Sequence, residues 1–268
     1  MELEAYFERV GYRGPREACL AALSALTEAH TQAIPFENLD VLLGRPIQLE
    51  PEALFQKLVR ERRGGYCFEQ NGLFLEVLLG LGFQATPLSA RVRWQRPRDF
   101  IPPRTHVFIR VELAGESWLT DVGVGALSLT GPIRLADASE QSTPHEPRRV
   151  VREGARLFHQ VRLGDQWHDV CEFTLEEMPS IDRELGNWFT STHPQSHFKN
   201  RLIVARAAAD GQRISLLNDE LTIRQRGGSA TTLRIESALE LLRLLEQHFD
   251  LTFSPQTRFG PPGSPWPV

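Results

Sequence analysis

The sequence is poor in several features, and each scarcity excludes a class of protein. Its 268 residues contain three cysteines, and 30 Lys+Arg stand against 34 Asp+Glu for a formal net charge of −4. Cys19, Cys67 and Cys171 are odd in number, widely spaced and form no CxxC pair, which argues against a disulfide framework or a zinc cage. The near-neutral balance argues against a nucleic-acid-binding protein, since those carry a basic footprint. Gly 20 and Pro 18 are too few for a low-complexity or collagen-like chain.

Long apolar runs and a targeting signal are also missing from the printed sequence. The most apolar stretch, 73–83, carries Glu76 and is too short to span a bilayer. The first nine residues mix acidic and apolar side chains and lack the basic-then-apolar order of a signal peptide. We therefore expect a cytoplasmic protein with reduced thiols that binds neither membrane nor nucleic acid. The remaining composition, 41 % hydrophobic and 24 % charged, is ordinary for a globular chain.

Hydrophobic periodicity changes along the chain and predicts an α+β fold. Apolar residues recur at helical spacing over 16–30, after Pro51 and over 68–81. From about Thr86 the period becomes two, which is the pattern of strands. The predicted strand hairpins span 107–122, 157–173 and 202–217, and an amphipathic helix follows over 237–249. The order is therefore helices, then an antiparallel barrel or sandwich, then a mixed α/β part.

The segment RGGYCFEQN, residues 63–71, is the strongest candidate for chemistry. Gly64 and Gly65 allow a tight backbone approach just before a helix, and Cys67 falls at or near its first turn. The free N–H groups and the positive dipole end there favour a thiolate, which is a better nucleophile than a thiol. A small buried structural cysteine is the alternative, and Cys19 and Cys171 fit that description.

A nucleophilic thiol needs a base, and the base needs an orienting group. His106 begins a predicted strand, and Asp121 lies near the end of the next one. If Ala114 pairs with Ser117, both side chains point to one face but stand four residues apart, about 13 Å at strand rise. A regular ladder therefore predicts the shared face and not the contact. A solvent-exposed histidine and a turn-forming aspartate remain open as alternatives.

Several segments resemble the arylamine N-acetyltransferase family, and in particular the bacterial N-hydroxyarylamine O-acetyltransferases. The similar segments are RGGYCFEQN at 63–71, PFENLDV at 35–41, PPRTH at 102–106, DVGVG at 121–125, STPH at 142–145 and NWFTSTHPQSHF at 187–198. The resemblance implies a Cys–His–Asp triad of Cys67, His106 and Asp121. It also implies a cysteine-protease-like catalytic core in three domains: a helical domain (1–85), a β-barrel (86–198) and an α/β lid (199–268).

The resemblance also implies the ligands and the residues that hold them. Acetyl-CoA is the expected co-substrate, and no metal is expected. The residues implied to lie near coenzyme A are Phe189, Ser196 and Phe198. The residues implied to line the acceptor pocket are Phe36, Phe68, Thr105 and Val124. Small aromatic amines, hydrazines or hydroxylamines are the expected partners, and the oligomeric state stays open with a homodimer as one candidate.

The sequence departs from the family pattern at two places. Val124 stands between Gly123 and Gly125, where the family usually has Phe or Tyr. Either this exchange widens the acceptor pocket or it is a neutral apolar replacement. The Pro-rich tail after Phe259 replaces the helix that often closes family members, because proline removes donors and fixes φ.

The predicted activity is acetyl transfer through a Cys67 thioester, to the nitrogen of arylamines and arylhydrazines or the oxygen of N-hydroxyarylamines. A thiol hydrolase, amidase-like or peptidase-like, needs the same three residues with water as the acceptor. A binding protein without turnover is a third interpretation, and the presence of all three residues speaks against it.

Overall fold

The computed structural model describes residues 2–260 and has the predicted α+β fold. Within that range the α-helices are α1 (Leu3–Val10), α2 (Leu20–Ala33), α3 (Leu39–Leu42), α4 (Pro51–Phe55), α5 (Cys67–Gly80), α6 (Ser180–Thr192), α7 (His197–Asn200) and α8 (Ala238–Phe249). A π-helical segment, Gln56–Arg60, continues α4. The strands are β1 (Phe36–Glu37), β2 (Gln84–Val92), β3 (His106–Leu113), β4 (Glu116–Thr120), β5 (Ile133–Arg134), β6 (Arg148–Glu153), β7 (Arg156–Leu163), β8 (Gln166–Glu177), β9 (Ile203–Ala207), β10 (Arg213–Leu217), β11 (Glu220–Arg224) and β12 (Ala230–Arg234).

The helix α5 forms the centre of the N-terminal part and confirms the helix expected over 68–81. Its stripe of Phe74, Val77 and Leu78 is fully buried against α1 and α2. The helix α2 starts at Leu20 rather than at 16, because Cys19 is extended and its sulfur caps the helix by accepting the Ala22 N–H. Periodicity predicted neither α1 nor the pair α6 and α7.

Seven antiparallel strands form the predicted barrel, in the order β5-β4-β3-β2-β8-β7-β6. The hairpin expected over 157–173 is present as β7 and β8. The gap between β5 and β6 is bridged by Gln141, whose backbone pairs with Arg148 while its side-chain amide bonds both backbone groups of Arg134. Gln141 thus joins the two ends of the sheet, β5 through its side chain and β6 through its backbone.

The register expected for the β3–β4 hairpin is wrong by two residues. Ala114 and Gly115 both have positive φ, 54° and 81°, and form the two-residue turn whose twist suits a hairpin. Leu113 therefore pairs with Glu116, and the strand ends at Thr120, not at 122. Asp121 consequently leaves the ladder two residues closer to His106 than the sequence-based register placed it.

The second sheet has the order β1-β9-β10-β11-β12, and α8 packs against it through Leu241, Leu244 and Phe249. The hairpin expected over 202–217 is present as β9 and β10. The edge strand β1 comes from the N-terminal part, with Phe36 opposite Ala205. The boundaries 85/86 and 198/199 stay predictions. Of the Pro-rich tail, residues 261–268 lie outside the described residues.

A buried cluster of charges joins the barrel to the second, five-stranded sheet. The Glu146 carboxylate, before β6, accepts from Arg148 on β6 at 3.0 Å and from Arg213 on β10 at 2.7 Å. Arg224 on β11 bonds its other oxygen. Three guanidinium groups hold the pKa of Glu146 well below its ordinary value, although burial opposes its ionisation. The single Glu146 carboxylate therefore pairs with three arginines, which come from two different sheets.

None of the helices within residues 2–260 has the length and apolar character that crossing a bilayer requires.

Candidate active site

Cys67 is the first residue of α5 and is buried, with 4 % of its surface exposed. The preceding Tyr66 is extended, and its N–H is bonded by the Glu69 carboxylate at 3.0 Å. The thiol contacts the Thr105 carbonyl oxygen at 3.6 Å. The position is the one predicted, at the end of a helix where free N–H groups and the dipole favour negative charge.

Close backbone packing explains the glycines around Cys67. A Cβ on Gly123 would lie 2.9 Å from the Cys67 Cα and 2.7 Å from the Asn71 amide nitrogen. A Cβ on Gly65 would lie 2.7 Å from the Glu69 carboxylate. Because real Cβ atoms do not approach so closely, glycine at both positions lets the two flanking loops reach the start of α5.

His106 and Asp121 are in direct contact, which the regular ladder did not predict. The His106 Nε2 lies 2.8 Å from an Asp121 carboxylate oxygen, and both side chains are at least 98 % buried. An ionised carboxylate only accepts, so Nε2–H donates and Nδ1 is left for a second partner. Cys67 is close enough to the imidazole to raise the pKa of His106. The structure thus brings the three predicted residues together.

The electrostatic surroundings favour the charged forms of His106 and Asp121. Burial alone lowers the pKa of His106, but the Asp121 carboxylate and the Cys67 sulfur outweigh it and raise that pKa to about 10. Burial raises the pKa of Asp121, yet His106, Asn71 and the Gly123 N–H together hold it below its ordinary value. At neutral pH the histidine is therefore a cation beside the sulfur.

Asn71 lies within the 63–71 motif, but no role in the site was predicted for it. It lies one turn after Cys67, and its amide donates to the Asp121 carboxylate at 3.0 Å and to the Val107 carbonyl at 2.8 Å. Its oxygen accepts the Val122 N–H at 3.1 Å. The Asn71 side chain on α5 thus bonds the Asp121 carboxylate. It also bonds the backbone of Val107 and Val122, the residues that follow His106 and Asp121.

A second network supports the loop before Cys67. Lys57 bonds Glu69 at 2.6 Å and Asp40 at 2.7 Å, and Arg63 bonds Glu37 at 2.7 Å. Burial opposes the Lys57 charge, but the surrounding carboxylates hold its pKa above the ordinary value. Desolvation in turn raises the pKa of Glu69. These ion pairs attach the 63–71 segment to α3 and the π-helical turn.

The aromatic residues expected around the acceptor lie beside Cys67. Phe36 and Phe68 belong to the buried cluster that contains Cys67 and Tyr66. The Phe68 ring lies against Gly186 of α6, where a Cβ would come within 2.6 Å. Val124 is half-buried against the barrel core. The roles of Phe36, Phe68, Thr105 and Val124 in binding an acceptor stay predictions.

The three residues expected to bind the coenzyme occupy different surroundings. Phe198 packs on this cluster, 5.6 Å from the Tyr66 ring and 6.1 Å from Phe36 between centroids. Phe189 is half-buried and stacks on His193 at 4.5 Å. Ser196 is buried, and its hydroxyl donates to a main-chain carbonyl of α6. Contact of these three residues with coenzyme A stays a prediction.

Comparison with known proteins identifies the family. A family model described as N-acetyltransferase matches residues 19–258. The arylamine N-acetyltransferase of Mycolicibacterium smegmatis is 42 % identical over 94 % of this chain and 92 % of its own. The arylamine N-acetyltransferase / N-hydroxyarylamine O-acetyltransferase of Salmonella typhimurium is 40 % identical over 93 % of this chain and 88 % of its own. The structure of the Mycobacterium marinum arylamine N-acetyltransferase in complex with CoA matches with a TM-score of 0.89 and 40 % identity, over 93 % of this chain and 92 % of that one. The chain belongs to the arylamine N-acetyltransferase family.

Proposed function

We propose that this protein moves an acetyl group from acetyl-CoA through a thioester on Cys67 to small aromatic acceptors. The acceptor atom is the nitrogen of arylamines and arylhydrazines or the oxygen of N-hydroxyarylamines. The observation that carries the proposal is the 2.8 Å His106–Asp121 bond beside a cysteine at a helix start. The names of the relatives and the CoA bound to the M. marinum protein support the substrate classes.

In the first half-reaction the Cys67 thiolate attacks the thioester carbonyl. The new Cys67 S–C bond forms as the C–S bond of acetyl-CoA breaks, and the His106 imidazolium supplies the proton that leaves with the coenzyme thiol. Backbone N–H groups at the start of α5 are the proposed donors to the oxyanion that develops on the thioester carbonyl. The exchange of one thioester for another is nearly balanced, so the acetyl-enzyme persists until an acceptor arrives.

In the second half-reaction the acceptor attacks the acetyl-cysteine and His106 takes its proton. Acetylation removes the negative sulfur, which is one of the charges that raises the pKa of His106. The imidazole is then easier to deprotonate, while Asp121 keeps its orientation and stabilises the cation that re-forms. The same residue thus acts as an acid in one half and as a base in the other.

The remaining site residues are assigned by position and resemblance. Phe36, Phe68, Thr105 and Val124 line the acceptor side, and Phe189, Ser196 and Phe198 contact the coenzyme. The proposed partners are small molecules, and we do not expect the protein to bind nucleic acid or membrane. We propose that the enzyme is cytoplasmic and has three domains, 1–85, 86–198 and 199–268. A homodimer is the oligomeric state that we propose to test.

Initial-rate kinetics with acetyl-CoA and aniline test this function. A ping-pong order predicts parallel double-reciprocal lines, with CoA released stoichiometrically with acetanilide. Cys67→Ser is the matched variant, because it keeps the size of the side chain and removes the thiolate. If acetyl-CoA is consumed at the same rate without aniline, water is the acceptor and the hydrolase alternative is correct.

A further inference from the structure

Cys171, which the sequence suggested to be a packing residue, lies beside the catalytic pair. It belongs to β8, two strands from β3, and its backbone pairs with Val92 and His159. A ring nitrogen of His106, a carboxylate oxygen of Asp121 and the Cys171 sulfur all lie within 4.8 Å of one another. All three side chains are buried. The enzyme therefore holds a second thiol next to the base and its orienting acid.

The three side chains offer the donor set that zinc and related dications prefer. Imidazole nitrogen, carboxylate oxygen and thiolate sulfur are all zinc ligands, at about 2.0–2.3 Å. A tetrahedral ion with such bonds holds its ligand atoms roughly 3.3–3.8 Å apart. The His106–Asp121 separation is 2.8 Å, and all three ligand atoms lie within 4.8 Å of one another. Metal binding therefore requires the His106–Asp121 pair to open by about 0.5 Å and the farthest pair of atoms to approach by at most about 1 Å.

The surroundings orient one ligand in advance. The second Asp121 oxygen accepts from the Asn71 amide and from the Gly123 N–H, both at 3.0 Å. Such outer bonds fix the direction of a ligating carboxylate and are typical of built metal sites. One carboxylate and one thiolate also neutralise a dication, so the filled site carries no net buried charge.

We propose that Cys171, His106 and Asp121 bind Zn²⁺, or a related dication such as Co²⁺ or Cd²⁺, and that this binding inhibits the enzyme. The Cys171 thiol and the His106 imidazolium each lose one proton to solvent as the bonds to the metal form, so two protons leave for one dication and no electron moves. The ion takes the imidazole and the carboxylate out of the triad. The inhibitory part of this inference rests on the proposed function; the binding part does not.

A protein with a single thiol tests the binding. Because the chain has three cysteines, the double variant Cys19→Ser/Cys67→Ala keeps Cys171 alone and retains His106 and Asp121. Titration with Co²⁺, free of chelators and added thiols, is expected to give a thiolate-to-cobalt charge-transfer absorption that saturates at one ion per chain. The further change Cys171→Ala should abolish it. Absence of the absorption in the single-thiol protein, with circular dichroism unchanged, would overturn the proposal.

Zinc inhibition of the otherwise unmodified enzyme tests the consequence. Loss of one of three ligands should raise the half-inhibiting Zn²⁺ concentration of Cys171→Ala at least about tenfold, with inhibition measured relative to that variant's own rate without zinc. Cys19→Ser is the matched control and should keep the original sensitivity. Equal sensitivity of Cys171→Ala and the unmodified protein would assign inhibition to Cys67 and His106 alone and overturn the proposed mode. If the single-thiol variant binds cobalt through Cys171 while the unmodified protein has no acetyltransferase activity, the proposed function is refuted and the metal site is not.

Discussion

Replacing Asn71 by aspartate is the sharpest perturbation of the triad that the structure offers. The change is isosteric, but it places a second carboxyl 3.0 Å from the Asp121 oxygen, where the amide now donates. Two negative charges at that distance repel by about 5–6 kcal/mol at an effective dielectric constant of about 20. An ordinary carboxyl gains only about 4 kcal/mol by ionising at pH 7. One of the pair therefore stays protonated.

The protonated introduced carboxyl can still donate to Asp121, so activity should persist at low pH and fall as pH rises. The cost also appears in stability. The unfolded chain ionises the introduced group and the folded chain does not, so Asn71→Asp should lower the free energy of unfolding by about 4 kcal/mol at pH 7. The folded state binds the extra proton, so this loss should shrink by about 1.4 kcal/mol for each pH unit below 7.

Urea unfolding at pH 5, 6, 7 and 8 measures the stability difference, and kcat/KM for aniline acetylation over the same range measures the activity. Asn200→Asp is the matched control, because Asn200 is exposed and far in sequence from the triad. A stability difference that does not change with pH would refute the reasoning. Asn71 would then be an ordinary packing residue.

Three further predictions concern other buried polar groups. Asp121→Asn should reduce kcat by about 10⁴-fold while the fold survives, because an amide favours the wrong imidazole tautomer; near-normal turnover would remove Asp121 from the triad. Glu146→Gln should cost about 3–5 kcal/mol in urea unfolding, because three arginines lose their shared anion; a loss below about 1 kcal/mol would contradict this, and exposed Glu236→Gln is the control. Burial lowers the pKa of His30 to about 4, so the unfolded chain takes up a proton first and stability falls as pH drops from 6.5 toward 4. His30→Gln should therefore weaken that dependence by up to about 1.4 kcal/mol per pH unit, and an unchanged urea midpoint profile between pH 7 and 4.5 would contradict it.

Local patterns predicted the long elements and the position of Cys67 at the start of a helix; the catalytic roles of Cys67, His106 and Asp121 stay predictions. The apolar stripe of α5 and the alternation in β3 are local signals, and the motif around Cys67 is specific. The contact of His106 with Asp121 was not predictable, because it depends on which two residues form the turn. Ala114 adopts a left-handed conformation, which the residue type does not predict.

The contributions of Asn71 and Cys171 were missed for a different reason. Asn71 bonds atoms 36, 50 and 51 residues away in the chain, and spacing within a motif carries no information about such partners. Cys171 reaches His106 only because β2 lies between β3 and β8 in the barrel. Strand order in a seven-stranded sheet is a global property, so a lone cysteine in a strand pattern indicates packing and nothing more.

The central claim is that Cys67 carries the acetyl group between two substrates, and intact-protein mass spectrometry tests it most directly. Mixed with acetyl-CoA and no acceptor, the protein should gain one acetyl group, and peptide mapping should locate it on Cys67. Addition of aniline should discharge the adduct and yield acetanilide, and Cys67→Ser should show no hydroxylamine-labile thioester. A folded protein that acetylates aniline while Cys67 never carries an acetyl group would contradict the account.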